Sequence, residues 1–208
     1  MSDTLFTSDL HFRHKNIIAY TDRKNLFCAD PMQEPTADDV EWMNESIIEV
    51  WNRQVKPDDT VVHVGDFCFG GFEVTKGFIR RLNGKKRFVL GNHDDRKHWN
   101  KIAAESDLGI DRIYFGDGAQ MNVEDRRIIL SHFPYYVWDK FGHGTWNLCG
   151  HSHGSAPDAP KKQLDVGIDN KYKLTGKFEL WTFEEIREIL DQKHNHAVDH
   201  HTDKTNYA

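Results

Sequence analysis

The sequence predicts a mixed α/β sandwich rather than a purely parallel doubly wound sheet. Three features predict it. Short β-prone runs alternate with helical periodicity through the first half, as strands joined by connecting helices do. The second half is richer in strand-like runs. Run after run also stops abruptly in a cluster of Asp, Asn, His and Gly, the position where open α/β sheets place their sites.

The first run, over 5–8, is followed at once by Asp9-Leu10-His11. Between Thr36 and Gln54, the residues Val40, Met43, Ile47, Val50 and Trp51 recur at helical spacing. Acidic residues early in that stretch complement the helix dipole, so the spacing predicts an amphipathic helix there. Residues 60–64 read as a buried strand running into Gly65-Asp66, and a helix over 72–82 is stopped by Asn83-Gly84. Strands over 87–90, 128–130 and 146–149 lead in turn into Gly91-Asn92-His93-Asp94-Asp95, Ser131-His132-Phe133-Pro134 and Gly150-His151-Ser152-His153-Gly154. A last helix over 183–190 has Thr182 and Glu185 placed as a capping box. Residues 1–192 read as a single domain, and the polar, His-rich residues 193–208 as a mobile or loosely docked tail. There is no internal repeat and no low-complexity block.

Composition sets the outer limits. At 208 residues, with 38% hydrophobic and 12% aromatic side chains, the chain is sized for one domain with a real core. It has no apolar run near the roughly 20 residues of a membrane span. The N-terminus lacks the basic and apolar regions of a signal peptide, so the expected location is cytoplasmic. The net charge of −6 disfavours an extended nucleic-acid surface, although bound cations would reverse the sign locally. Cys28, Cys68 and Cys149, odd in number and far apart, read as buried thiols of a reducing compartment. The unusual component is 13 histidines, of which His194, His196, His200 and His201 fall in the tail.

The strand ends together offer Asp9, His11, Asp66, Asn92, His93, His132, His151 and His153. Carboxylate, imidazole and amide donors suit borderline divalent ions: Mn²⁺ first, then Fe²⁺ or Zn²⁺. The donors suffice for two such ions, and Asp66, central in the set, is the natural bridge between them. Two ions roughly 3.5–4 Å apart, sharing a carboxylate and a hydroxide, form a site for in-line displacement at phosphorus. Taken singly, each cluster is equally well explained by turn chemistry. Their recurrence at one strand end after another is what argues for a common site.

That set of motifs, D9-L-H11, G65-D66, G91-N92-H93-D94, H132 and G150-H151-S-H153, resembles the calcineurin-like metallophosphoesterases over residues 4–170. The resemblance implies two mixed β-sheets packed as a sandwich and flanked by helices. It also implies one metal on Asp9, His11, Asp66 and His153, and a second on Asp66, Asn92, His132 and His151. His93 is then left uncoordinated, to stabilise the transition state or protonate the leaving oxygen.

One departure bears on the substrate. Phosphoprotein phosphatases of that superfamily continue Gly-Asp into Gly-Asp-x-x-Asp-Arg-Gly, whose arginine clamps phosphate. Here the segment is Gly65-Asp66-Phe67-Cys68-Phe69-Gly70-Gly71. Without that fork a dianionic monoester loses a specific partner. The chain looks more like the small, capless bacterial and phage members, and phosphodiesters, cyclic nucleotides among them, become the expected small-molecule substrates. His14, Asn16, Arg23 and His143 are candidates to face the substrate, Arg23 as a replacement clamp. Tyr135, Tyr136 and Trp138 could stack on a base or simply be core. The rival readings are a phosphomonoesterase of the same superfamily, a non-catalytic metal-binding scaffold and a nuclease. A scaffold would have lost metal ligands, and none is missing. A serine hydrolase gains nothing from Ser8 or Ser131, neither of which lies in a Gly-x-Ser-x-Gly elbow.

Overall fold

β1 (Thr4–Thr7) alternates its side chains between two cores, Leu5 facing helices and Phe6 facing a second sheet. The computed structural model describes residues 2–156 and 160–195. After β1 come α1 (Lys15–Tyr20), α2 (Arg23–Phe27) and α3 (Ala37–Gln54), then β2 (Thr60–Val64), α4 (Phe72–Arg81), β3 (Lys85–Val89), α5 (Arg96–Ile102) and β4 (Ile110–Tyr114). The second half holds β5 (Gly118–Val123), β6 (Arg126–Ser131), a 3₁₀ turn (Phe141–His143), β7 (Trp146–Cys149) and β8 (Gln163–Asp165). It ends with α6 (Ile168–Thr175), β9 (Trp181–Thr182) and α7 (Phe183–Leu190).

The first sheet has the order β4-β3-β2-β1-β9, and the second β5-β6-β7-β8. β1 to β4 are parallel and β9 is antiparallel to β1; β5 and β6 are antiparallel, and β6, β7 and β8 parallel. Both sheets are therefore mixed, as expected. Val62, Val64 and Val89 of the first sheet meet Leu130, Trp146 and Leu148 of the second across the shared core. On the outer face, Leu5, Val61 and Phe88 meet Met43, Ile47 and Trp51 of α3, Ile79 of α4 and Trp99 of α5. α3 and α7 both start with capping boxes, Thr36 with Asp39 and Thr182 with Glu185.

β3 begins at Lys85, two residues before the expected strand. Lys86 is only 4% exposed, and its Nζ donates to the Leu108 carbonyl at 3.0 Å, which is how a lysine sits inside a strand. The three cysteines are buried and free. No described helix is long and apolar enough to cross a membrane. The start of the expected tail is docked: the Asn195 side chain accepts from the Lys162 amide and donates to the Phe141 and Thr145 carbonyls. His196, His200 and His201 lie outside the described residues.

Candidate metal centre

The carboxyl ends of β1, β2 and β3 deliver Asp9, Asp66 and Asn92 side by side because these strands are parallel neighbours. The ends of β6 and β7 deliver His132, His151 and His153 from the facing sheet. Two groups result, Asp9–His11–His153 and Asp66–His132–His151, each with donor atoms within 4.8 Å of one another. Asp66 Oδ2 lies 3.6 Å from His11 Nε2 and 3.3 Å from His132 Nε2, so one oxygen stands between the two groups. Asn92 Oδ1 is 3.0 Å from His132 Nε2. His153 Nε2 and His11 Nε2 are each 3.7 Å from Asp9 Oδ1.

These donors fit divalent cations. Asp9 Oδ1 and His11 Nε2 are buried with no hydrogen-bond partner. Leaving such atoms unsatisfied costs about 1–3 kcal/mol each, a cost that a shared cation removes. The outward nitrogens of His11, His132 and His153 are engaged. His132 Nδ1 donates to the Val64 carbonyl at 2.9 Å and His153 Nδ1 meets Asp169 Oδ2 at 2.6 Å, so each turns Nε2 inward. His11 Nδ1 meets His14 Nδ1 at 3.2 Å. Burial, with the neighbouring charges of His11 and His93, pulls His14 down to about 4, so it stays neutral and can accept that bond. Burial pulls His132 down as well, but the bond to Asp66 and the charges of Asp9 and Asp66 outweigh it and raise it to about 9.

Backbone geometry is unusual at these residues. Asp9, His11, Asp66, His151 and His153 all have φ between 47° and 69°, a region that costs a non-glycine residue free energy and that persists only where the surroundings enforce it. The enforcement is visible. The His151 amide donates to Asp9 Oδ2 and the His93 amide to Asp66 Oδ1, both at 2.9 Å. Buried Asp94 accepts from the amides of Asp66, Phe67 and Gly91. Two motif glycines are needed for space: a Cβ on Gly91 would sit 2.1 Å from Asp66 Oδ1, and one on Gly150 2.4 Å from Asp9 Oδ2.

His93 is exposed at the rim, outside both groups, with its ring 5.8 Å from that of His11. His14 lines the adjoining cleft, whereas exposed Asn16 and His143 are not among its lining residues. Arg23 departs from expectation. It is fully buried, and its guanidinium is spent on Asp169 (2.8 and 2.9 Å) and on the carbonyls of Asp9 (2.6 Å) and Leu10 (2.8 Å), so it cannot reach a substrate as a clamp. Trp138 is core, its Nε1 bonded to Thr145 and its ring packed on Phe141.

Sequence reasoning missed Asp94, Asp165 and Asp169. Asp94 stands inside a motif and could have been found. Asp169 lies 146 residues from Arg23, with no local signal. The 150–154 loop does carry Gly-x-Ser-x-Gly spacing around Ser152. Its hydroxyl, however, donates to Asp165 Oδ2 at 2.6 Å and anchors the loop, so it does not stand free as a nucleophile.

Comparison with known proteins agrees with this geometry. The Gene 66 protein of Mycobacterium phage L5 is 32% identical over 211 residues, covering 87% of this chain and 93% of that protein. The Gene 66 protein of Mycobacterium phage D29 is 27% identical, covering 92% and 97%. The crystal structure of the Aquifex aeolicus protein AQ665 shares the fold, with a TM-score of 0.63 and 22% identity over 91% of this chain and all of that one. The family model of calcineurin-like phosphoesterases matches residues 3–205, and the chain belongs to that family.

Proposed function

We propose that this metal-dependent phosphoesterase hydrolyses phosphodiesters of small molecules, nucleotides among them. Asp9, His11, Asp66 and His153 would hold one divalent cation, and Asp66, Asn92, His132 and His151 the second. The observation that carries the two-ion reading is the single oxygen, Asp66 Oδ2, within 3.6 Å of both His11 and His132. Bound there, two divalent cations, Mn²⁺ favoured by the mixed donor set, would supply polarisation of the phosphoryl oxygens and a hydroxide nucleophile at neutral pH.

The chain's own residues do the rest. Asp94 fixes the backbone of the Asp66 and Gly91 turns, and Asp169 fixes the His153 ring. His93, uncoordinated at the rim, holds a proton for the departing oxygen. The diester preference rests on what lines the cleft. Among the described lining residues the basic side chains are histidines and Lys173, whose Nζ already donates to the Gly154 carbonyl, and there is no arginine. A dianionic monoester finds no fork, whereas a singly charged diester needs none. The buried free thiols suit a reducing, cytoplasmic setting.

The test compares bis(p-nitrophenyl) phosphate with p-nitrophenyl phosphate under Mn²⁺, Zn²⁺ and Mg²⁺. The diester should be favoured in kcat/KM, and activity should vanish on chelation. Faster monoester hydrolysis would make the chain a phosphomonoesterase. Inertness of the metal-loaded protein toward both esters would leave it a scaffold.

A further inference from the structure

The cleft beside the metal centre has a volume of about 770 Å³ and is not symmetrical. On one side the His14 ring stacks on Phe69 at 3.7 Å and 11°, and the His93 ring lies 4.8 Å from Phe69. Beyond that ring pair the wall is α1, with Ile17, Ala19 and Tyr20, followed by Thr21 and Asp22. Tyr20 is 76% exposed, so a large aromatic ring stands on this wall largely uncovered by the protein itself. The other ligand group has a different neighbour, Phe133, whose ring is 4.4 Å from His151.

Resting on the diesterase reading above, we propose that the Phe69–His14 stack and the α1 wall up to Tyr20 form the leaving-group subsite, and that it takes a nucleoside. His93 is the candidate proton donor, and it sits on this wall, so the departing oxygen must point here. A leaving group as small as methanol would meet His93 and leave Tyr20 uncovered. A nucleoside reaches further: its sugar crosses the ring pair and its base stacks on Tyr20, with Asp22 at the end of the wall to accept from hydroxyl or amino groups. Asp22, and the lack of an arginine among the described lining residues, disfavour a leaving group carrying a phosphate of its own. In the step, the oxygen of water bonds to phosphorus and the P–O bond to the nucleoside breaks. The nucleoside oxygen takes the proton from the His93 ring, and solvent restores it.

Thymidine 5′-(methyl phosphate) tests the subsite within one molecule, because either arm can leave. Thymidine plus methyl phosphate should exceed methanol plus thymidine monophosphate by about tenfold, the partition expected when one ring stacks. Tyr20→Ala should bring that ratio close to one, while Trp42→Ala, an exposed aromatic residue outside the cleft, should leave it unchanged. An even partition in the unaltered protein, or a ratio indifferent to Tyr20→Ala, overturns the subsite. Cleavage of bis(p-nitrophenyl) phosphate without cleavage of the thymidine ester overturns it too, and leaves the diesterase reading standing. If neither diester is cleaved, the diesterase reading itself falls.

Discussion

Asp169 Oδ2 accepts the Nδ1–H of His153 at 2.6 Å, while both oxygens of the same carboxylate are gripped by Arg23. Arg23 also holds the Asp9 and Leu10 carbonyls, so one buried guanidinium ties α2, the first motif and α6 to a single candidate metal-binding group. The pair is balanced in charge only while Asp169 is ionised. Its carboxyl is kept low against the pull of burial by the Arg23 charge and the His153 bond.

Asp169→Asn should therefore do more than loosen a ring. It leaves the buried Arg23 charge uncompensated beside Asp9 and removes the anion that raises the basicity of His153. Mn²⁺ affinity at the Asp9–His11–His153 group should fall about 10–100-fold, with the Asp66–His132–His151 group spared. Stepwise Mn²⁺ titration reads this directly, and equal weakening of both steps would contradict it.

Gly91→Ala tests the proposed bridging role of Asp66 from outside the proposed ligand set. The added Cβ would fall 2.1 Å from Asp66 Oδ1 and 2.5 Å from the Asp66 amide, neither of which can yield without moving the turn. Both metal-binding steps should weaken together, with a stability loss of about 1–3 kcal/mol from overpacking. Selective loss of one step would mean that Asp66 is not shared.

What could be read from the sequence divides along a physical line. Strands and candidate ligands announced themselves because each apolar run ended in polar chemistry, and the capping box of α7 was visible as a local pattern. Elements such as the short α2 and the two-residue β9 carry too few residues to show a period. Arg23 was misplaced for the opposite reason: its loop-like neighbourhood says exposed, and only a carboxylate 146 residues away makes its burial tolerable. The conjunction of motifs showed which residues meet, but not what holds them from behind.

Lys86 gives a prediction about stability that does not involve the metals. Burial pushes its ammonium from 10.5 down to about 8. Because the folded value is the lower one, the unfolded chain binds more protons between those limits, and stability attributable to this group rises with pH across that window. Lys86→Met should thus gain most on the native protein below pH 8, less the lost bond to Leu108, and its relative advantage should shrink toward pH 10. One proton caps the difference in slope at about 1.4 kcal/mol per pH unit. Urea unfolding of both proteins from pH 7 to 10 checks this, and a constant offset would refute it.

His93 stands next to both ligand groups and belongs to neither, with its amide rather than its ring bonded to Asp66. His93→Ala should therefore retain both metal ions by elemental analysis while losing on the order of 10²–10⁴ in rate, the range for a general acid. The loss should be smaller for a nitrophenolate leaving group than for an alkoxide, because the phenolate departs without needing a proton. Equal losses on the two would move His93 from proton donor to stabiliser of phosphoryl charge. Loss of metal together with rate would place its ring in the coordination sphere, against its exposed position outside both donor groups.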